Sequence, residues 1–223
     1  MDDSSKMKSA FPDRMNTYMT TEHFTLQGAR SIINAEITSR ITIYFTTLSS
    51  VIIAAAFVAQ IAKRNQIFVL FGSLAFPLVI LLGFFSAGRL AVLVSMDAVY
   101  IRAINRIRHY YVQSAPEVEQ YLLFPPYDDA RSIRIYAGWT ESFRDGLLSS
   151  SNAVIISNSI VTTVLIGALS TNYYEISFLQ FLPIGIITFL VTYILHWVVG
   201  YLFGRPQSGM EEYMETRFPK DSF

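Results

Sequence analysis

The residues of this chain that could do chemistry in an apolar environment are polar but not ionisable. They are densest between positions 150 and 164, where serine, threonine and asparagine recur among aliphatic residues. At about 100° per helical residue they form one polar arc, which comprises Ser151, Asn152, Asn158, Ser159, Thr162 and Thr163. Ile155 and Ile166 interrupt the arc with bulky apolar layers. Since lipid cannot satisfy hydroxyl and amide groups, the arc must face other helices or water.

Two interpretations of this polar arc remain open. In the first, its residues hold neighbouring helices together, at about 0.6 kcal/mol per interhelical hydrogen bond. In the second, the arc lines a pore in which Ile155 or Ile166 forms an apolar constriction. Hydroxyl groups favour packing because they can bond to their own backbone. Two asparagines in one span are harder to satisfy in that way, and they keep the pore interpretation open.

A second polar row occurs between positions 42 and 60. Its members share one helical face and are Thr42, Thr46, Ser49, Ile53, Ala56 and Gln60. Small residues at this spacing let two helix backbones approach closely. We interpret this row as a helix-packing surface.

Four basic residues are candidates for binding lipid headgroups or other anions: Arg89, Arg102, Arg106 and His109. The last three are spaced i, i+4 and i+7, which places them on one helical face. Near an anionic leaflet each such residue contributes about 1 kcal/mol of attraction. The same face could instead bind acidic residues of the protein or remain solvated. Arg89 ends an apolar stretch, where snorkelling to the interface explains it.

No residue set predicts catalysis, a metal site or a cofactor. The chain lacks the patterns GxxxxGK[ST], GxGxxG, HExxH and GxSxG. It has no cysteine, and its three histidines are too far apart for metal-ligand spacing. Asp128 and Asp129 follow two prolines, which is typical of a turn. The alternating run 132–136 that follows predicts a short strand or an extended segment.

The distribution of charge indicates the elements that must position these residues. Seventeen basic and seventeen acidic side chains give zero net charge, and none lies in 41–62, 65–88, 146–174 or 176–204. Each window exceeds the roughly 20 apolar residues that span a bilayer. We therefore predict an all-α integral membrane protein with crossings at about 41–62, 67–88, 150–170 and 177–203. Pro77 and Pro183 are predicted helix kinks.

Basic residues set the predicted orientation. Fourteen Lys and Arg lie in the N-terminal forty residues, the middle loop and the tail, whereas the first short turn has Lys63 and Arg64. By the positive-inside rule, we predict a cell-membrane protein whose termini and middle loop lie on the cytoplasmic side. No cleavable signal peptide is predicted at the N-terminus.

The crossings form two predicted antiparallel hairpins, and the first two helices extend into the cytoplasm as an amphipathic stalk over 22–40 and 89–113. The expected organisation is a mobile arm over 1–21, a long hairpin over 22–113, a loop with a short helix over 114–145, a second hairpin over 146–204, and a tail over 205–223.

From these features we expect a homo-oligomeric, pore-forming or channel-like protein gated by its cytoplasmic helical extension. Four crossings leave little room for a path inside one protomer, so a pore would form between copies. The alternative is a non-conducting membrane adaptor or sensor that binds a cytoplasmic protein partner. A lipid-acting membrane enzyme is a third class. Zero net charge gives no electrostatic basis for binding nucleic acid.

Overall fold

The computed structural model describes residues 3–61, 65–138, 149–174, 176–205 and 214–220. These residues contain helices and no strand, which confirms the predicted all-α class. The elements are α1 (Asp3–Ile61), α2 (Asn65–Ser114), a 3-10 helix (Pro116–Tyr121), α3 (Ala130–Ala137), α4 (Ser150–Tyr174) and α5 (Phe178–Phe203).

Four of the helices, α1, α2, α4 and α5, are long and apolar enough to cross a membrane. They contain the four charge-free windows, apart from positions at the window ends. Pro77 and Pro183 lie inside α2 and α5, and each helix continues through its proline. The predicted turns at 63–66 and 171–176 and the loop segment 139–145 lie partly or wholly outside the described residues.

Two element boundaries differ from the sequence predictions. Helix α1 begins at Asp3, in the segment expected to be a mobile arm, rather than at Glu22. The run 132–136 is part of helix α3, so the predicted strand or extended segment is wrong. Capping explains this helix: the Asp129 side chain accepts a hydrogen bond from the Ser132 amide, and Gly138 ends the helix at φ 71°.

The chain divides into two compact units. The tail unit comprises Met1–Ala35, Ser95–Glu141 and Pro206–Phe223, and the apolar unit comprises Glu36–Val94 and Ser142–Arg205. Helices α1 and α2 therefore contribute residues to both units, whereas α4 and α5 belong to the apolar unit.

The apolar unit has a small buried core and a large exposed apolar surface. Its buried cluster consists of Tyr44, Leu48, Val79, Leu90 and Val154. Most other large apolar side chains of its helices are exposed, such as Leu78, Phe85 and Val164, each at 60% or more. A surface of this kind is typical of helices that face lipid rather than water.

The tail unit has its own core, formed by Leu26, Ile104 and Ile107. Beside it, Arg30 donates two hydrogen bonds to the Asp97 carboxylate, at 2.7 and 3.0 Å. A forked pair of this kind fixes the orientation of both side chains.

Candidate functional site

Asn158 joins α4 to each of the other three long helices of the apolar unit. Its side chain is fully buried. The Nδ2 group donates to the Ile80 carbonyl on α2 at 3.1 Å and to His196 Nε2 on α5 at 3.0 Å. The Oδ1 atom accepts from the Tyr44 hydroxyl on α1 at 3.3 Å. We call Tyr44, Ile80, Asn158 and His196 the polar hub.

The hydrogen bonds of His196 assign its tautomer. Its Nδ1 atom lies 2.7 Å from the Thr192 carbonyl, which can only accept, so Nδ1 carries the proton. Nε2 is then free to accept from the Asn158 amide. The hydrogen bonds of the hub therefore fit a neutral imidazole, and both amide protons of Asn158 are donated in hydrogen bonds.

Gly83 on α2 allows the hub to close. A Cβ atom built at this position would lie 2.5 Å from Asn158 Cγ and 2.7 Å from Tyr44 Cε2, and closer still to Asn158 Oδ1. Any residue larger than glycine would therefore separate α2 from α4 and α1 or expel the asparagine side chain.

Four other members of the predicted polar arc also bond within the chain. Buried Asn152 accepts from the Tyr193 hydroxyl at 3.1 Å, which gives α4 and α5 a second link. The hydroxyls of Ser159, Thr162 and Thr163 donate to carbonyls four residues earlier in α4, at 2.8 to 2.9 Å. Ser151 and Ile155 are half-buried, and Ile166 is 36% exposed. Both asparagines of the arc thus face helices of their own chain.

The polar row of α1 has the opposite placement. All six members, Thr42, Thr46, Ser49, Ile53, Ala56 and Gln60, are exposed. Ser50, beside the row, is also exposed, and its hydroxyl donates to the Thr46 carbonyl at 2.8 Å. We call these six residues the α1 row.

The chain matches no protein-family model and is similar to no curated protein or solved structure. Its function is therefore inferred from the geometry of its own residues. Among the described residues, no group of three His, Cys, Asp or Glu side chains is arranged to hold a metal ion.

Arg89, a predicted headgroup or anion contact, pairs with a carboxylate of the apolar unit. Its guanidinium donates to both oxygens of Glu36, at 2.9 and 3.0 Å. Arg40, four residues after Glu36 on the same helix, approaches the same carboxylate at 3.5 Å. Because these side chains are about a third or more exposed, the pairs stabilise the unit only modestly.

Arg102, Arg106 and His109 lie together in the tail unit and contact Asp128 and the segment 214–220. Arg106 donates to the fully buried Asp128 carboxylate at 2.7 Å, and Arg102 donates to the Asp128 carbonyl at 3.2 Å. The ring of His109 stacks on Phe218 at a centroid distance of 4.2 Å. The basic face thus binds an anion that the chain itself supplies.

The environment of Asp128 stabilises its ionised form. Burial alone would raise the pKa of this carboxyl, but hydrogen bonds from Arg106 and from the backbone amides of Phe218 and Arg217 outweigh it and lower the pKa. The sequence showed Asp128 and Asp129 only as a turn. In the structure, Asp128 is a hydrogen-bond centre and Asp129 is a helix cap.

Sequence reasoning missed several contacts of the hub. It did not pair His196 with Asn158, whereas the His196 side chain is 2% exposed and bonded to that amide. It did not single out Tyr44, Gly83 or Tyr193. A signal existed for Tyr44 and Tyr193, because a buried tyrosine hydroxyl in an apolar helix needs a partner. No sequence signal of this kind existed for Gly83, since its close neighbours belong to other helices.

Proposed function

We propose that this chain is a multi-pass protein of the cell membrane, with two antiparallel helical hairpins and with both termini in the cytoplasm. In this arrangement its exposed apolar side chains contact lipid tails, where they carry no hydration cost. The proposal extends to assembly: identical copies form a channel-like oligomer with the conduit between subunits, gated by the cytoplasmic helical extension.

The exposed α1 row is the observation that carries the channel proposal. Its members follow one another at steps of 4, 3, 4, 3 and 4 residues, which is the heptad spacing of helices that cross at a small left-handed angle. In a lipid-facing span, hydroxyls can bond to their own helix, and a row of small polar side chains also suits contact with a second copy or with water. Because the asparagines of α4 are used inside the chain, we take the exposed α1 row as the polar surface for contacts between copies.

The size of the chain favours a conduit between subunits. Four apolar helices around a hub of interhelical hydrogen bonds resemble a packed bundle rather than a tube. Copies related by cyclic symmetry would bring one α1 row each to a common axis. Thr42, Thr46 and Ser49 would then form hydroxyl rings, and Ile53 would form an apolar constriction.

Two adjacent serines offer a matched test. Ser49 belongs to the α1 row, and Ser50 is exposed about 100° away on the same helix. We expect the full-length protein to conduct ions in planar bilayers, and Ser49→Leu to reduce the current several-fold by narrowing the conduit or by separating copies. Ser50→Leu faces lipid in this arrangement, so its current and its oligomer mass should be those of the unmodified protein.

Three outcomes would contradict the channel proposal. The first is a strictly monomeric mass in mild detergent and in lipid nanodiscs. The second is the absence of current from protein that is folded and oligomeric. The third is an equal effect of Leu at positions 49 and 50, which would mean that the row has no special environment.

A second candidate function is a membrane adaptor that binds a cytoplasmic protein. The observation in its favour is the exposure of Tyr121 and Leu123 in the tail unit, at 78% and 87%. Large apolar side chains exposed to water often mark contact sites. Loss of a co-purifying protein in a Tyr121→Ser, Leu123→Ser variant, with unchanged oligomer mass, would support this function over a channel.

A further inference from the structure

The segment 214–220 is held in the tail unit through its own backbone. Arg102 donates to the Met214 carbonyl, and Arg106 donates to the Glu215 carbonyl at 2.6 Å. The backbone amides of Arg217 and Phe218 both donate to the Asp128 carboxylate, at 2.8 to 3.1 Å. In return, the Asp128 amide donates to the Phe218 carbonyl at 3.2 Å. Contacts of this kind can be supplied by any extended peptide.

One side-chain contact adds selectivity to this backbone recognition. The Phe218 ring stacks on His109, with 21° between the planes. His109 is itself 4% exposed, so its ring forms one wall of a defined aromatic site. In contrast, the side chains of Glu215, Thr216 and Arg217 belong to exposed residues. An aromatic residue is therefore required at one position, and several neighbouring positions are tolerant.

The charged groups of the cleft suit the peptide backbone. The charged groups in contact with the tail are the guanidinium groups of Arg102 and Arg106 and the carboxylates of Asp128 and Asp129, the last of which accepts a backbone hydrogen bond from Lys220. The guanidinium groups bind carbonyls, and the carboxylates bind amides. The docked segment 214–220 itself carries Glu215, Arg217 and Lys220, so it is not an acidic ligand. Its recognition therefore rests on the backbone contacts and on the Phe218 ring.

We propose that Arg102, Arg106, His109 and Asp128, which we call the tail cleft, form a peptide-binding site that the chain's own tail fills in cis. The ligand class is an extended segment with one aromatic residue, supplied by a cytoplasmic protein partner. The tail is the intramolecular competitor of this partner. This site does not depend on whether the protein conducts.

Covalent attachment explains why the tail occupies the cleft by default. The tail segment and the cleft belong to one chain, and intramolecular attachment of this kind gives an effective concentration on the order of 1 mM. A free peptide with the same contacts must compete against that concentration. Weakening the tail in cis should therefore expose the cleft to a peptide in trans.

Binding of a labelled peptide to the full-length protein tests the proposal. The probe is a capped fluorescent peptide with the sequence of residues 214–220, and the readout is fluorescence anisotropy in detergent. We expect the Phe218→Ala chain to bind this peptide at least tenfold more tightly than the unmodified chain does. A peptide carrying Phe218→Ala should bind at least tenfold more weakly, and a peptide carrying Thr216→Ala should match the original. Equal binding by the two chains, or by the two altered peptides, would overturn the proposal.

A second measurement needs no altered chain. Excess isotope-labelled peptide is added to the unmodified protein, and hydrogen exchange is followed at the chain's own residues 214–220. Displacement of the tail releases the amides of Arg217 and Phe218 from Asp128, so their exchange should rise while that of α2 is unchanged. Unchanged exchange at saturating peptide would show that the tail is a fixed structural element and that no peptide site exists.

Discussion

Replacing Gly83 with alanine is expected to destabilise the apolar unit through the polar hub. The added methyl group would lie 2.5 Å from Asn158 Cγ and 2.7 Å from a Tyr44 ring carbon, where ordinary contacts are 3.4 to 4 Å. One of the groups must move by about 1 Å. The hub bonds of Asn158 are 3.0 to 3.3 Å long, so a shift of that size breaks them.

The expected cost follows from three contributions. Loss of three interhelical hydrogen bonds at about 0.6 kcal/mol each removes about 2 kcal/mol. Strain from an extra methyl group in a packed contact adds about 1 to 3 kcal/mol. The higher helix propensity of alanine returns about 1 kcal/mol. The free energy of unfolding should therefore fall by about 2 to 4 kcal/mol.

Titration of the detergent-solubilised protein with a denaturing detergent measures this change. Gly88→Ala is the matched control, because a Cβ atom there has Val199 as its nearest neighbour at 3.7 Å, an ordinary contact. Gly72→Ala is a second control, since its nearest neighbour is Phe76, also at 3.7 Å. Both controls should be neutral or slightly stabilising. A Gly83→Ala protein as stable as Gly88→Ala would refute the close approach on which the hub depends.

A double-mutant cycle identifies Asn158 as the group that the methyl displaces. Asn158→Ala removes the hub bonds and also the atoms nearest to the new Cβ. Adding Gly83→Ala to that variant should therefore cost less than it costs in the unmodified protein, by about 1 kcal/mol or more. Additive costs would mean that the strain falls on Tyr44 or on the backbone instead.

Three further outcomes are expected. The pKa of Asp128 is lowered in the folded state, so its ionised form stabilises the tail unit at pH values above the usual pKa of 3.8. This stabilisation is lost as the pH falls through the lower pKa of the folded state. Asp128→Asn should therefore flatten the acid dependence of thermal unfolding between pH 2 and 6. Tyr193→Phe removes the bond to Asn152 and should cost about 0.6 kcal/mol in the same detergent titration. Arg30→Leu leaves buried Asp97 without its partner and should cost about 3 to 5 kcal/mol, whereas the double variant with Asp97→Leu should recover part of that loss.

The four long apolar helices were predictable because hydropathy and charge are local properties of a sequence. Four windows without ionic side chains indicate the apolar parts of α1, α2, α4 and α5, whatever their neighbours are. The importance of Asn152 and Asn158 was also predictable, since a buried amide must be satisfied. Their partners were not, because Tyr44 and His196 lie 114 and 38 residues away from Asn158.

The partners of the tail cleft were also not predictable from the sequence. The face of Arg102, Arg106 and His109 was visible as a helical pattern, but its partners come from positions 128 and 214–218. Peptide carbonyls and amides carry no sequence signal, so a segment that is recognised through its backbone cannot be identified from residue types. Helix α3 was missed because an eight-residue run is too short for its period to decide between helix and strand.

The two polar rows of the apolar unit differ in residue type, and that difference bears on function. An amide has two donors and cannot satisfy them on its own helix, so Asn152 and Asn158 must lie inside the unit. A hydroxyl can bond to the carbonyl four residues earlier, as Ser50 does, so Thr42, Thr46 and Ser49 can face outward at little cost. Such a surface is apolar enough to insert and polar enough to meet water or a second copy. A conduit lined by hydroxyls would bind ions weakly, and weak binding is what rapid passage requires.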